Sequence, residues 1–286
     1  MLAAAGAIAM AASPQKSAPI ADGAVLVGAG DIATCEALEG ARATARLLDG
    51  IPGTVYTTGD HAYSSGTAGQ FADCYDPTWG RHKARTRPSP GNHDYYAPDA
   101  APYFAYFGAA AGPPGRGYYS YELGTWHVVV LNSNCKKIGC EAGSPQEQWL
   151  RSDLAAHKTG CTVAYWHHPR YSSGRHGDAL ETGPLWQALH DAGAELVISG
   201  HDHDYERFAP QDSAGRRDLD RGIRQFVVGT GGKSTRPFST IKPNSEAHAT
   251  KVFGVLKLTL RQGSYAWAFV PAEGQSFGDS GTGTCH

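Results

Sequence analysis

Carboxylate, amide and imidazole side chains recur just after short apolar runs along this chain: Asp31, Asp60 with Tyr63, Asn92 with His93 and Asp94, His167 with His168, then His201 and His203. Singly they are ordinary, since an aspartate after glycine is often a turn residue. The set is harder to dismiss. Asp31, Asp60, Tyr63, Asn92, His167, His201 and His203 offer only oxygen and imidazole donors, the ligand chemistry of hard or borderline metal ions, with no thiolate required. Asp60 has two carboxylate oxygens with which to bridge two ions. His201 and His203 would have to sit in a loop that turns one imidazole toward each ion, rather than along a regular strand.

Such residues need elements that deliver them to one place. Val25-Leu26-Val27 and Val55-Tyr56-Thr57-Thr58 read as strands that end in Gly30-Asp31 and Gly59-Asp60. A helix over 36–49, with Thr34 as its N-cap and Leu38, Ala41, Ala45 and Leu48 on one face, makes this a β-α-β opening. Residues 118–123 and 126–132 read as a hairpin around Gly124-Thr125. Ser144-Pro145-Gln146-Glu147 has the cap, proline and glutamate of a helix start. A strand over 162–165, a helix over 180–192 and a strand over 196–199 follow, the last opening into Gly200-His201-Asp202-His203. Strand-like runs at 225–228, 252–260 and 265–270 suggest a second sheet, while 97–117 and 211–222 read as loops. The expected fold is α/β, a four-layer α/β/β/α sandwich with two packed mixed β-sheets flanked by helices, in one domain over 21–286. In an α/β sheet the carboxyl ends of neighbouring strands converge on one crevice.

Composition narrows the function classes. With 25 Lys plus Arg against 27 Asp plus Glu, the formal charge is −2 and no basic block exists, which argues against an electrostatic nucleic-acid binder. Thirteen histidines are the feature to follow. Six cysteines without a close CxxC pair argue against redox catalysis and a zinc knuckle; Cys135 and Cys140 suggest a small disulfide loop, and the other pairings stay open. Residues 1–20 read as the apolar part of a secretory signal with a small-x-small site at Ala9-Met10-Ala11 and no basic start. Beyond them no run is long enough for a membrane span. The expected location is therefore secreted or periplasmic.

The blocks GD ending at Asp31, GDHAY at 59–63, GNHD at 91–94, HHPRY at 167–171 and GHDH at 200–203 resemble the ordered blocks of the calcineurin-like metallophosphoesterase superfamily, and Tyr63, three after Asp60, narrows the resemblance to purple acid phosphatases. The resemblance implies two metal ions, one held by Asp31, Asp60, Tyr63 and His203 and one by Asp60, Asn92, His167 and His201. His167 rather than His168 matches the family's H-x-P-x-Y pattern, leaving His168 to line the pocket. A phenolate from Tyr63, whose ordinary pKa is near 10, favours a trivalent ion, so Fe(III) is expected beside a divalent Zn, Fe or Mn. Asp31 lies too close to the first residue for the β-sandwich domain of the larger plant members, and their dimer arrangement is not carried over.

The implied activity is acid-phosphatase hydrolysis of a small-molecule phosphate monoester by hydroxide activated at the dinuclear centre. A phosphodiesterase with Zn or Mn, and a non-catalytic secreted binding protein on the same scaffold, are the alternatives. His93 and His176 are the candidate proton donors, and Asp94 is expected to orient an imidazole. His61 and the segment 170–178 are expected to shape the pocket. Ser172 and Ser173 lack the G-x-S-x-G setting of a nucleophile. Residues 229–233, GTGGK, lack phosphate-loop spacing and read as a strand-end turn near the site.

Overall fold

In the strand Trp126–Val130, Val128 and Val130 fall in one buried cluster while Val129, with Leu131 just beyond, falls in another. Val163 and Tyr165 alternate in the same way with Ala164 and Trp166. Successive side chains of a strand point to opposite faces, so these strands are covered on both sides. The computed structural model describes residues 23–158 and 160–286, and the export segment expected over 1–20 lies outside the described residues.

Two sheets form the frame. The first runs, in spatial order, Ser280–Thr284 (β15), Ser264–Pro271 (β14), Gly254–Arg261 (β13), Ala24–Ala29 (β1), Thr54–Thr58 (β3) and Thr86–Ser89 (β5). The second runs Ser245–Ala249 (β12), Tyr205–Phe208 (β10), Arg224–Val228 (β11), Leu196–Ser199 (β9), Thr162–Tyr165 (β8), Trp126–Val130 (β7) and Tyr119–Leu123 (β6). A short parallel pair, Ala33–Thr34 (β2) with Ala62–Tyr63 (β4), stands apart. Glu39–Gly50 (α1) lays Ala41, Thr44, Ala45 and Leu48 against the first sheet. Ala68–Gln70 (α2) starts from a Thr67 capping box, and Ala101–Phe107 (α3) and the single turn Cys135–Ile138 (α4) follow. Pro145–Ala156 (α5) and Gly183–Asp191 (α6) pack together over the outer face of the second sheet through Leu150, Leu154, Leu185 and Leu189. The result is the expected four-layer α/β/β/α sandwich.

The β-α-β opening, the hairpin and the Ser144 cap are present; the Ser144 hydroxyl accepts from the Glu147 amide at 3.3 Å. Three expectations are corrected. The first helix begins at Glu39 rather than 36, and Thr34 does not cap it, because 33–34 pair with 62–63 and Cys35 is tied to Cys74. The stretch 97–117 is not all loop: α3 forms because Tyr103 and Phe107, one turn apart, bury their rings, Phe107 against Phe71 and Tyr75 and Tyr103 against His61. The last third makes no sheet of its own. β11 inserts between β9 and β10, whereas β13 pairs antiparallel with β1, Leu258 opposite Leu26. Burial patterns report how covered a strand is, not which edge it fills.

The disulfides are Cys35–Cys74, the expected Cys135–Cys140, and Cys161–Cys285. Among the described residues no helix is long and apolar enough to cross a membrane.

Candidate metal centre

Each donor block follows a strand. Strands β1, β3 and β5 end just before Asp31, Asp60 and Asn92, and β8 and β9 just before His167 and His201. The strands of each group run parallel, so their carboxyl ends open on one side. Glycine precedes Asp31, Asp60, Asn92 and His201. A Cβ on Gly91 would lie 2.1 Å from Asp60 Oδ1, and one on Gly200 2.7 Å from Asp31 Oδ2, so a side chain at either would displace a carboxylate. Asp31, Asp60 and His201 have left-handed backbones, with φ of 61, 53 and 69°. Each costs roughly 1–2 kcal/mol for an L-residue, strain that the surrounding structure holds where donors must be aimed.

The donor atoms gather in two groups. Tyr63 Oη lies 2.7 Å from Asp31 Oδ1, 2.9 Å from Asp60 Oδ2 and 3.3 Å from His203 Nε2. His203 Nε2 is also 3.3 Å from Asp31 Oδ1. In the second group His167 Nε2 lies 3.4 Å from that same Asp60 Oδ2, 3.0 Å from Asn92 Oδ1 and 3.1 Å from His201 Nδ1. Asp60 Oδ2 therefore belongs to both. Two imidazole nitrogens facing each other satisfy one another only when one is protonated, whereas a cation satisfies both. The donors thus fit a metal pair.

The surroundings aim these atoms. His167 Nδ1 sits 2.6 Å from the Thr58 carbonyl, which can only accept, so Nδ1 keeps its proton and Nε2 is the nitrogen that can turn a lone pair to the centre once its own proton is displaced. His203 Nδ1 is 2.7 Å from Ser234 Oγ. Burial opposes ionisation of Asp60, but the charge and hydrogen bond of His167 outweigh it and hold the carboxyl well below its usual range. Burial likewise pulls His167 down, yet Asp60 prevails and pushes it up to about 9. The Tyr63 hydroxyl is raised far above its ordinary value, by burial first and then by Asp31 and Asp60. A metal entering here displaces the His167 proton, and a Tyr63 phenolate needs the ion's positive charge.

The remaining predicted residues divide. His93 lies at the centre: its amide donates to Asp60 Oδ1 at 2.8 Å, its Nδ1 is 2.5 Å from the Ser64 carbonyl, and its Nε2 is 3.9 Å from Asp60 Oδ2. His176 stacks on His201 at 4.2 Å. Its Nδ1 is 3.0 Å from Asp202 Oδ1, and its Nε2 is 2.9 Å from the Arg236 guanidinium. Because arginine only donates, that Nε2 is the acceptor of the pair. Asp94 Oδ2 accepts from the amides of Asp60 and Gly91 at 3.1 and 2.8 Å and from His61 Nδ1 at 3.0 Å, locking the two donor loops together. His61 does not shape the pocket: it is fully buried among Phe71, Tyr75, Tyr103 and Phe107, where aromatic packing and Thr57 Oγ1 hold it. His168 lines a neighbouring cavity, with burial pulling it down to about 3.

Sequence reasoning missed Asp202, Ser234 and Arg236, and it took Lys233 only as part of a turn. Lys233 Nζ lies 4.9 Å from the Tyr63 ring centre and donates to Thr34 at 3.0 Å. Two cationic side chains in a glycine-rich turn after a strand were the available signal.

A family profile described as calcineurin-like phosphoesterase matches residues 26–205. Two purple acid phosphatases of Arabidopsis thaliana are 31% identical over 137 residues and 30% over 165, covering 45% and 49% of this chain and 24% and 37% of their own lengths. The chain thus matches well under half of each. A purple acid phosphatase from yellow lupin seeds shares the fold with a TM-score of 0.73 at 19% identity, over 91% of this chain and 53% of that one. A Plasmodium protein described as the anchor in the inner membrane complex shares it at 0.69 and 15% identity, over 92% and 89%.

Proposed function

Because this chain belongs to the calcineurin-like phosphoesterase family, we propose that its crevice hydrolyses small phosphate monoesters in the manner of the purple acid phosphatases it resembles. The single oxygen Asp60 Oδ2, within hydrogen-bond or ion-pair distance of Tyr63 on one side and His167 on the other, carries this reading. Asp31, Asp60, Tyr63 and His203 would hold one ion, and Asp60, Asn92, His167 and His201 the other. Tyr63 supports Fe(III) in the first place, since only a strong positive charge offsets two carboxylates beside a phenolate; a divalent Zn, Fe or Mn suits the more neutral donors of the second. Bound there, the pair supplies a Lewis-acid grip on the phosphoryl group and an activated water.

The chain's own residues do the rest. His93 keeps its Nδ1 proton on the Ser64 carbonyl, which leaves Nε2, on a side chain one quarter exposed, to protonate the departing alkoxide. His176 spends its Nε2 on Arg236, so its part is to hold that guanidinium beside the crevice, where it attracts the substrate's phosphate. Three disulfides suit an oxidising compartment, in keeping with a secreted or periplasmic enzyme.

The test is metal analysis and visible absorption on the purified protein, with phosphate release measured from an aryl monoester and its diester across pH. About two metals per chain including iron, a phenolate absorption band and faster monoester turnover are expected. Faster diester turnover with Zn or Mn and no such band would replace the reading with a phosphodiesterase. Absence of metal and turnover would leave a binding protein.

A further inference from the structure

Beside the centre lies a cavity of ≈ 330 Å³ that shares Asn92 with it and is otherwise walled by other residues, among them Tyr95, Tyr96, Lys136, Lys137 and His168. Its size is that of a pocket for one small molecule. Tyr96 is 62% exposed, an unusual setting for a large aromatic side chain, and its ring centre is 4.6 Å from that of His93. Its hydroxyl lies 3.5 Å from Asn92 Nδ2, while Asn92 Oδ1 faces His167. A group leaving the metal centre past Asn92 and His93 meets this ring next.

Two ammonium groups stand on the same cavity. Lys136 and Lys137 lie on α4, inside the loop closed by Cys135–Cys140, and among the described residues neither is in an ion pair. Glu181 is the opposing carboxylate. Lys136 and Glu181 both also border an outer groove, whose lining adds a second carboxylate, Glu141. Lys137 borders the inner cavity and not the outer groove, and together with Lys136 it leaves the inner lining one positive charge in excess of Glu181, on a cross-linked turn. Such a turn loses little freedom when it binds an anion.

We propose that this cavity is a leaving-group subsite for phosphate esters of a flat ring that carries a second negative charge, the ring lying on Tyr96 and the anion on Lys137. The inference rests on the phosphoesterase reading above. As the water oxygen bonds to phosphorus, the P–O bond to the ring breaks and the departing phenolate takes a proton from His93 Nε2.

The experiment compares phenyl phosphate with 4-carboxyphenyl phosphate in the wild type, Lys137→Met and Lys137→Arg. Wild type should favour the carboxylated ester by about two- to fivefold in kcat/KM, the effect of one added exposed ion pair. Lys137→Met should bring the ratio near one through KM while phenyl phosphate turnover is unchanged, and Lys137→Arg should restore it. A wild-type ratio near one, or a ratio unmoved in Lys137→Met, overturns the anion half. Tyr96→Leu should lower kcat/KM for both aryl esters relative to 3-carboxypropyl phosphate; an unchanged aryl preference overturns the ring half. If no ester turns over, the phosphatase reading fails by itself, and calorimetry of phenylphosphonate against 4-carboxyphenylphosphonate still decides the subsite. Tighter binding of the second, lost in Lys137→Met, upholds it; equal binding rejects it.

Discussion

Asp60 is the side chain on which both donor groups depend, and its second oxygen also accepts the His93 amide. Asp60→Ala should therefore lose both ions and nearly all turnover, whereas His93→Ala should retain metal and slow by about 10²- to 10⁴-fold, the usual worth of a general acid. Metal content and steady-state rates on the two variants check this; ordinary turnover in Asp60→Ala would sink the assignment. At this scale the candidate donors were legible because each lies within a few residues of an apolar run that ends as a strand. What spacing could not supply is the direction in which a side chain leaves the backbone. His61 sits between two donor-block residues yet turns into an aromatic nest, and Asp202 sits between two histidines yet turns toward Ser172 and His176.

Among the elements, the hairpin of β6 and β7 is tied to α5 by His127, whose Nδ1 is 2.7 Å from Glu122 and whose Nε2 is 2.7 Å from Asp153. Burial pulls this imidazole's pKa down, but the hydrogen bonds and charges of Asp153 and Glu122 raise it overall above the ordinary 6.5. Asp153, which burial raises, is lowered overall below 3.8 by His127 and Ser120. The folded state thus holds the His127 proton more tightly than the unfolded chain does. Its contribution is complete below 6.5 and is lost as pH rises through the elevated folded value, while that of Asp153 is present above 3.8 and is lost as pH falls. The urea midpoint of wild type should fall more between pH 6.5 and 9 than that of His127→Gln; parallel falls would dismiss the tie. Elements with caps or long periodic faces, such as α5, were legible in the sequence. α3 was not, because seven residues carry too little periodicity and its stability comes from rings contributed by 71 and 75. The sheet joined by β13 was not either, since choosing a partner is a long-range matter.

For the whole molecule, the centre joins two sheets: Asp31, Asp60 and Asn92 follow strands of the first, His167 and His201 strands of the second. Ions bound there cross-link the sandwich and favour the folded state by mass action. Chelation should lower the melting temperature by about 5–10 °C, taking an ion at about a hundred times its Kd in a domain of this size. Calorimetry with and without chelator measures it, and an unchanged transition would mean that the sheets do not depend on metal. The layered architecture was legible from alternating strands and amphipathic helices, because both patterns are local. The left-handed backbones of Asp31, Asp60 and His201 have a consequence for how such a chain can evolve. Glycine at any of them would relax the metal-free fold while removing a donor, so selection for heat resistance without metal and selection for turnover pull these three positions in opposite directions.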